Sequence, residues 1–184
     1  MQRDVVLVGG GLSSGLCALA LLHARPDCRL TIVESLERLG GNHTWSFHGA
    51  DVPPEAQAWL APLRQVEWSG YDVLFPDHER RIEGRYISLD GAHLHAVVAE
   101  RIDASPHAEL LLGQRAQAID EHGVTLEGGE RLQAKLVIDC RGPAQPSDLA
   151  AYRGGWQKFV GLEVELARPH GLERPILMDA RVEQ

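Results

Sequence analysis

Cationic side chains are in short supply in this 184-residue chain, where 18 Lys and Arg stand against 26 Asp and Glu for a formal charge of −8. That balance argues against a nucleic-acid partner, whose phosphates call for a basic footprint. Cysteine is scarcer still. Cys17, Cys28 and Cys140 are odd in number and share no Cys-x-x-Cys spacing. Neither a zinc site nor a disulfide framework is therefore expected, and the thiols read as buried and reduced. No apolar run reaches the roughly eighteen residues that a spanning helix needs. A cationic, apolar leader is also missing and the first strand begins almost at once, so a cytoplasmic location is expected. There is no internal repeat, no low-complexity tract and no Gly-x-Ser-x-Gly elbow for a serine nucleophile. Nine histidines invite a metal reading. Yet His93 and His95 are two apart and fall on different sides of a predicted helix, and no cluster of His with carboxylates supports a site. No metal is expected.

What the chain does have is glycine in a particular place. Val5 to Val8 is the continuous β-branched and aliphatic run of a parallel strand buried on both faces. It ends in Gly9-Gly10-Gly11. Leu12, Leu16, Leu19, Ala20 and Leu22 then recur at helical spacing until Pro26 stops the helix. A second apolar run, Leu30 to Val33, ends in Glu34, twenty residues beyond Ser14. Strand, glycine turn, helix, strand and acid in this order form a dinucleotide-binding unit. Gly9 permits the tight turn, Gly10 continues it, and Gly11 removes the Cβ that would block a diphosphate from the helix amino end. Leu12 and Ser13 open that helix beside the phosphates, and Glu34 accepts hydrogen bonds from ribose hydroxyls with Ser35 beside it. Ser14 stands at the third glycine position, whose ordinary task is close helix–strand packing.

The segment after Glu34 narrows the cofactor. Arg38 is placed to reach a diphosphate, and Gly40-Gly41 followed by Asn42 lets the chain pass beside a bulky planar group. This pattern resembles the Glu-x4-Gly-Gly-Arg/Asn segment of FAD-dependent amine oxidases, desaturases and cyclases, which favours FAD over NAD.

Further along, Asn42 to His48 alternates polar and aromatic residues and is expected in the cofactor cleft or on a strand leaving it. Pro54 opens a short helix through Leu60. Short strands are expected at Gln65–Trp68, Asp72–Phe75 and Arg81–Leu89, with turns at Ser69-Gly70 and Pro76-Asp77. Asp90 caps a helix whose apolar face is Leu94, Val97, Val98 and Ile102. Glu109–Leu112 is fit to join the parallel sheet. Ala116–Ile119, Val124–Leu126 and Arg131–Gln133 make a meander, with Ala116 near the cofactor. Leu136–Cys140 is another buried strand, running into Arg141 and Gly142; ligands of open parallel sheets sit at carboxyl strand ends, so Asp139, Arg141 and Gly142 are candidate cofactor residues. A plain strand and turn is the alternative there. Trp156–Leu166 and Pro175–Ala180 read as further strands. Trp45, Trp68 and Trp156 are candidates for lining an apolar pocket, although core packing is the commoner fate of tryptophan. The chain stops in mid-pattern at Gln184, which reads as a truncated protein.

The fold class is therefore α/β: a Rossmann-like FAD-binding domain of glutathione-reductase type with inserted antiparallel strands and the start of a second, substrate-domain sheet. Residues 1–50 and 91–150 are assigned to the first domain, and 51–90 and 151–184 to the second.

Taken together, the glycine turn, Gly40-Gly41-Asn42-His43-Thr44-Trp45-Ser46-Phe47-His48, Leu94 to Val98, Val137 to Pro143, Gly155 to Gly161 and Pro175 to Gln184 resemble the bacterial lycopene β-cyclases from end to end. The resemblance implies closure of the two ψ-ends of lycopene into β-ionone rings, with reduced FAD required, NAD(P)H as reductant and no net redox change. It implies a hydrophobic carotenoid substrate and peripheral contact with the inner membrane that holds it. It also implies a protein about twice this long, whose acidic motif for acid–base work lies beyond the Met178-Asp179-Ala180 segment; the chain alone is then expected to bind FAD without completing catalysis. His43 and Trp45 are candidate walls of the substrate pocket, or else pack against the cofactor domain without touching substrate. A redox flavoenzyme, such as a hydroxylase or desaturase, and a non-catalytic FAD-binding module are the alternatives.

Overall fold

A computed structural model describes residues 2–142 and 160–181. Strand β1 (Arg3–Val8) leads through the glycine turn into helix α1 (Leu12–Ala24) and strand β2 (Leu30–Val33). Strand β3 (Thr44–His48) follows, then short helical turns over 49–63 that include α2 (Gln57–Leu60). A long hairpin, β4 (Val66–Phe75) and β5 (His78–Asp90), runs into helix α3 (Gly91–Asp103). Strands β6 (Ala108–Leu111), β7 (Ala116–Asp120), β8 (Gly123–Leu126), β9 (Arg131–Asp139) and β10 (Ile176–Asp179) complete the described elements.

These strands form two sheets, one ordered β6-β2-β1-β9-β8-β7 and the other β10-β4-β5-β3. In the first, β6, β2, β1 and β9 run parallel, while β7, β8 and β9 form an antiparallel meander. This is the Rossmann-like α/β fold with inserted antiparallel strands that the sequence predicts; in the second sheet β3, β4 and β5 are antiparallel and β10 joins β4 in parallel. The parallel part needs cover on both faces, and β1 shows how it is supplied. Val5 and Leu7 pack with Leu19 and Leu22 of α1 and Leu94 and Val98 of α3. Val6 and Val8, pointing the other way, pack with Val124, Leu126 and Leu132 of the meander. Alternation along one strand thus joins two cores. The capping expected at Asp90 is present, its carboxylate accepting the His93 N–H at 2.7 Å. No helix among the described residues is long and apolar enough to cross a membrane.

Three expectations change. The Ser69-Gly70 turn is instead an irregularity inside a continuous β4, where the register with β5 shifts between Trp68 and Gly70. Gly70 is needed there because a Cβ would lie 2.1 Å from the Ile82 carbonyl oxygen. The strands read at Arg131–Gln133 and Leu136–Cys140 are one strand that exchanges partners: Gln133 is opposite Gly123 of antiparallel β8, and Ala134 is opposite Arg3 of parallel β1. The strand expected over Trp156–Leu166 lies partly outside the described residues. Its described part, 160–166, forms none. Val160 and Leu162 there are 96% and 86% exposed, and an alternating pattern without a neighbouring strand has no hydrogen-bond ladder to join. β3 also belongs by pairing to the second sheet, opposite β5, so the chain crosses into that sheet at Thr44.

At the amino ends of the parallel strands, Asp4 of β1 holds two neighbours. Its carboxylate accepts the Arg29 backbone N–H at 3.0 Å and pairs with the Arg29 guanidinium at 3.2 Å and Lys135 at 2.7 Å. These donors favour the ionised form and hold Asp4 well below the ordinary carboxylate range. A pKa depressed by folding contributes stability that is present above the unfolded value of about 3.9 and is lost as pH falls below it. Asp4→Asn is therefore expected to lower the melting temperature at pH 7, with the gap from the parent narrowing as pH falls below 4 in circular-dichroism melts. A gap that is constant with pH rules out the ionic role.

Candidate functional site

Where β1 ends, three consecutive glycines meet three different surroundings. The Gly9 N–H donates to the Val33 carbonyl at 2.8 Å. Its φ of +102° is one that side chains disfavour, and a Cβ would sit 2.8 Å from the Cys140 carbonyl oxygen. Gly10 is enclosed as well: a Cβ there would lie 2.5 Å from Leu39 Cδ2 and 2.8 Å from Glu34 Oε2. At Gly11 nothing lies within 4 Å of a Cβ position. That open space adjoins a cleft of about 650 Å³ at the carboxyl ends of β1, β2 and β9, where open parallel sheets take their ligands.

Gly11 is also the N-cap of α1, with no side-chain cap and no acid in the first turn. The first N–H groups of a helix lack partners within it, and the dipole adds positive partial charge there. An uncapped amino end facing an open glycine suits a diphosphate. Ser14 is fully buried, but the tight packing expected of the third glycine falls on Gly15, whose Cβ would come 2.9 Å from Leu94 Cδ1 of α3. The close neighbour is thus a helix and not the strand.

Glu34 does more than end β2. Its Oε2 accepts the Gly10 N–H, while Oε1 accepts the Leu36 N–H at 2.7 Å and the Ser35 hydroxyl at 3.0 Å. The carboxylate therefore fixes the glycine turn against the following loop, and Glu34, partly buried, lines the cleft. Arg141 lies across the cleft, folded onto Asp139 through Nε–Oδ1 of 2.8 Å and Nη2–Oδ2 of 2.7 Å. That guanidinium holds Asp139 below the ordinary carboxylate range. Between the two, burial pushes the Cys140 thiol up, which keeps this cleft-lining group neutral.

Of the residues singled out from sequence, Gly9, Gly10, Gly11, Leu12, Ser13, Glu34, Ser35, Ala116, Arg141 and Gly142 line the one cleft, together with His43 and Trp45. The His43 and Trp45 rings lie 5.6 Å apart, tilted by 35°. Arg38, Gly41, Asn42 and Asp139 are not in its lining. Arg38 is exposed, and the demand for glycine at Gly40 comes from α3: a Cβ would lie 2.5 Å from the Gly91 Cα. Gln114 and Arg115 line the cleft and were missed. The Gln114 N–H donates to the Glu34 carbonyl at 2.9 Å, a pairing across eighty residues of chain; the only sequence signal was adjacency to Ala116. His93 and His95 serve locally, His93 at the Pro62 carbonyl and His95 accepting the Leu39 N–H. Among the described residues no group of three or more His, Cys, Asp or Glu is placed to hold a metal ion.

A family model described as "Lycopene cyclase protein" matches residues 4–184. A lycopene beta-cyclase of Paracoccus sp. (strain N81106 / MBIC 01143) is 44% identical over 184 residues, covering 100% of this chain and 46% of that protein. A lycopene beta-cyclase of Pantoea ananas is 38% identical over 181 residues, covering 98% of this chain and again 46% of the relative. The chain thus spans about half the length of the curated relatives it matches. Among solved structures, pqsL of Pseudomonas aeruginosa, a probable FAD-dependent monooxygenase, aligns with a TM-score of 0.64 at 24% identity, over 85% of this chain and 48% of that one. The p-nitrophenol 4-monooxygenase PnpA of Pseudomonas putida DLL-E4 aligns with a TM-score of 0.62 at 19% identity, over 77% and 41%. At these identities the likeness is one of fold.

The unequal surroundings of the glycines have a measurable consequence. Gly10→Ala forces its methyl into Leu39 and Glu34 and is expected to cost about 1–3 kcal/mol, the range for overpacking. Gly11→Ala meets open space and is expected to cost less, no more than the N-cap preference of glycine over alanine, below about 1 kcal/mol. Denaturant unfolding of both variants checks this, and equal losses would refute the assignment of the open position.

Proposed function

This chain belongs to the lycopene cyclase family, and on that premise we propose that it forms the cofactor-holding part of an enzyme that closes the ψ-ends of lycopene into β-ionone rings. The observation that carries the proposal is the open space at Gly11, facing an uncapped helix amino end, with the Glu34 carboxylate across the turn. Those groups fit a dinucleotide, and FAD is the dinucleotide in question. The amides at Gly11, Leu12 and Ser13 are to receive the diphosphate. Glu34, with Ser35, receives a ribose, and Ala116 lies at the adenosine side with Gln114 and Arg115. Arg141 and Gly142 border the remaining length of the cofactor, and Arg38, Gly41 and Asn42 are assigned to its outer side.

Ring closure takes one proton in at a terminal alkene and gives one out from the ring, with no net change in electrons. When bound and reduced by NAD(P)H, FAD supplies negative charge beside the position where positive charge develops, in a dry site where such stabilisation is large. The residues of this chain supply position and dryness. His43 and Trp45 form a wall at the cleft that keeps water from a tertiary cation, which water would otherwise trap as an alcohol. A substrate this apolar resides in a bilayer, so the enzyme is assigned to the cytoplasmic face of the inner membrane as a peripheral protein. The acid–base group belongs to the part of the family's length that this chain does not span.

A redox reading is the second one, favoured by the fold shared with pqsL and PnpA. Two measurements separate the readings. Gly11→Val, titrated with FAD by flavin fluorescence, is expected to lose binding while the protein stays folded, its melting temperature lowered only by the poorer N-cap. A Gly11→Val protein that still carries flavin overturns the cofactor placement. In a protein extended to the relatives' length and assayed without oxygen, the product is expected to match lycopene in mass, with near-zero NADPH consumed per ring after the first reduction. One NADPH per ring overturns the isomerisation and favours the redox enzyme.

A further inference from the structure

Trp45 borders a second space besides the cleft. On its other side lies a hollow of about 270 Å³ between α1, α2 and β3. We infer that this hollow is the subsite that seats the isoprenoid end group of the substrate; the inference rests on the carotenoid reading above and names where that end group goes.

The chemistry of the walls is the first argument. Leu12, Leu16, Trp45, Phe47 and Leu60 line the hollow, and Asp51 is the one charged residue in the lining. Its carboxylate is engaged, accepting the His48 N–H at 3.3 Å. A space with such walls has little to offer water, because a buried water needs two to four polar partners. It has much to offer a hydrocarbon, through removal of apolar surface from water on both sides.

The state of those side chains is the second. All five apolar residues pack against the main core, yet each is only partly buried. Leu63 and Leu89, at the floor, are fully buried. The uncovered area thus belongs to neighbouring residues on three separate elements and meets in one concavity. Scattered exposed leucines are ordinary on a surface, whereas convergence of this kind builds a binding cavity.

Position and size complete the case. Leu12 and Trp45 line both the dinucleotide cleft and the hollow, so a group seated there lies against the same indole that borders the cofactor's space. Leu12 is also the first residue of α1, next to the diphosphate turn. An apolar cavity of about 150 Å³ takes up benzene; the larger hollow has room for a six-membered ring with methyl substituents.

The test uses β-ionone as the probe of the end group. The chain, carrying carbon-13 in its leucine methyls, is titrated in the presence of FAD, with methyl spectra and flavin fluorescence read on the same sample. Saturable shifts are expected at the methyls of Leu12, Leu16 and Leu60. Val52→Trp and Leu60→Phe, which add volume at two lining positions of the hollow, are each expected to weaken β-ionone at least tenfold while FAD affinity stays at the parent value. Unshifted methyls in a protein that still binds FAD overturn the subsite and leave the cofactor reading standing. So does β-ionone affinity that survives unchanged in both variants. Methyl shifts in a protein that fails to bind FAD support the subsite and overturn the cofactor reading.

Discussion

The Glu34 carboxylate, holding the Gly10 amide on one oxygen and the Leu36 amide on the other, is the contact on which the cleft depends. Around it the backbone is compressed. Gly9 is wedged against the end of β9, and Gly10 has the carboxylate and Leu39 where a side chain would stand. The same turn is tied again by the Gly40 N–H, which donates to the Gly10 carbonyl at 2.8 Å. With Gly9 and Gly10 pressed by neighbours, the free volume lies at Gly11. The cleft is in this sense a remainder: its position follows from where backbone and carboxylate are already packed. Glu34 thus has a part in the protein's own geometry besides its suitability for a ribose, and substitutions at this position will mix the two effects.

Most of the first sheet was legible because its signals are local. The apolar run of β1, the glycine turn, the spacing of α1 and the acid after β2 lie within about thirty residues, and each has a mechanical reason that does not depend on distant chain. The Asp90 cap and the apolar face of α3 are local in the same way. Site residues that lie on strand ends, Glu34, Arg141 and Gly142, came with the strands. So did His43 and Trp45, through the alternation of a single short segment.

What escaped the sequence depends on partners far along the chain. Gly70 looks like a turn residue, but its reason is the Ile82 carbonyl on the opposing strand. Gly40 looks like a cofactor glycine, and its reason is Gly91. The break read between Arg131–Gln133 and Leu136–Cys140 was a change of partner, from antiparallel β8 to parallel β1, which leaves no mark on local composition. Gln114 and Arg115 reach the cleft because β6 pairs with β2 and brings the following loop beside Glu34. For the strand expected over Trp156–Leu166, the described part, 160–166, shows the converse, a good pattern with no partner among the described residues.

The close approach of Gly40 to Gly91 has a consequence for the site. Strand β3 is hydrogen-bonded into the second sheet, but Trp45 and Phe47 pack on the core of the first, while His48 stands on the other face with Tyr71 and Tyr86 at 5.7 and 5.4 Å. A wall of the nucleotide cleft is therefore built from the neighbouring sheet. Its placement relative to the glycine turn is set by backbone: the Gly91 N–H donates to the His43 carbonyl at 2.8 Å, and the Gly40 N–H donates to Gly10. Two glycines in van der Waals contact leave no side chain to adjust, so the distance between turn and wall has little freedom. In the function proposed above, excluding water on one side and holding a diphosphate on the other gains from such rigidity, since small displacements of positioning groups are costly to catalysis. The cleft and the apolar hollow then share Trp45 and Leu12 as lining residues. Whatever occupies one space bears on the other through those two residues, and the backbone contacts at Gly40, Gly91 and His43 hold the wall in place.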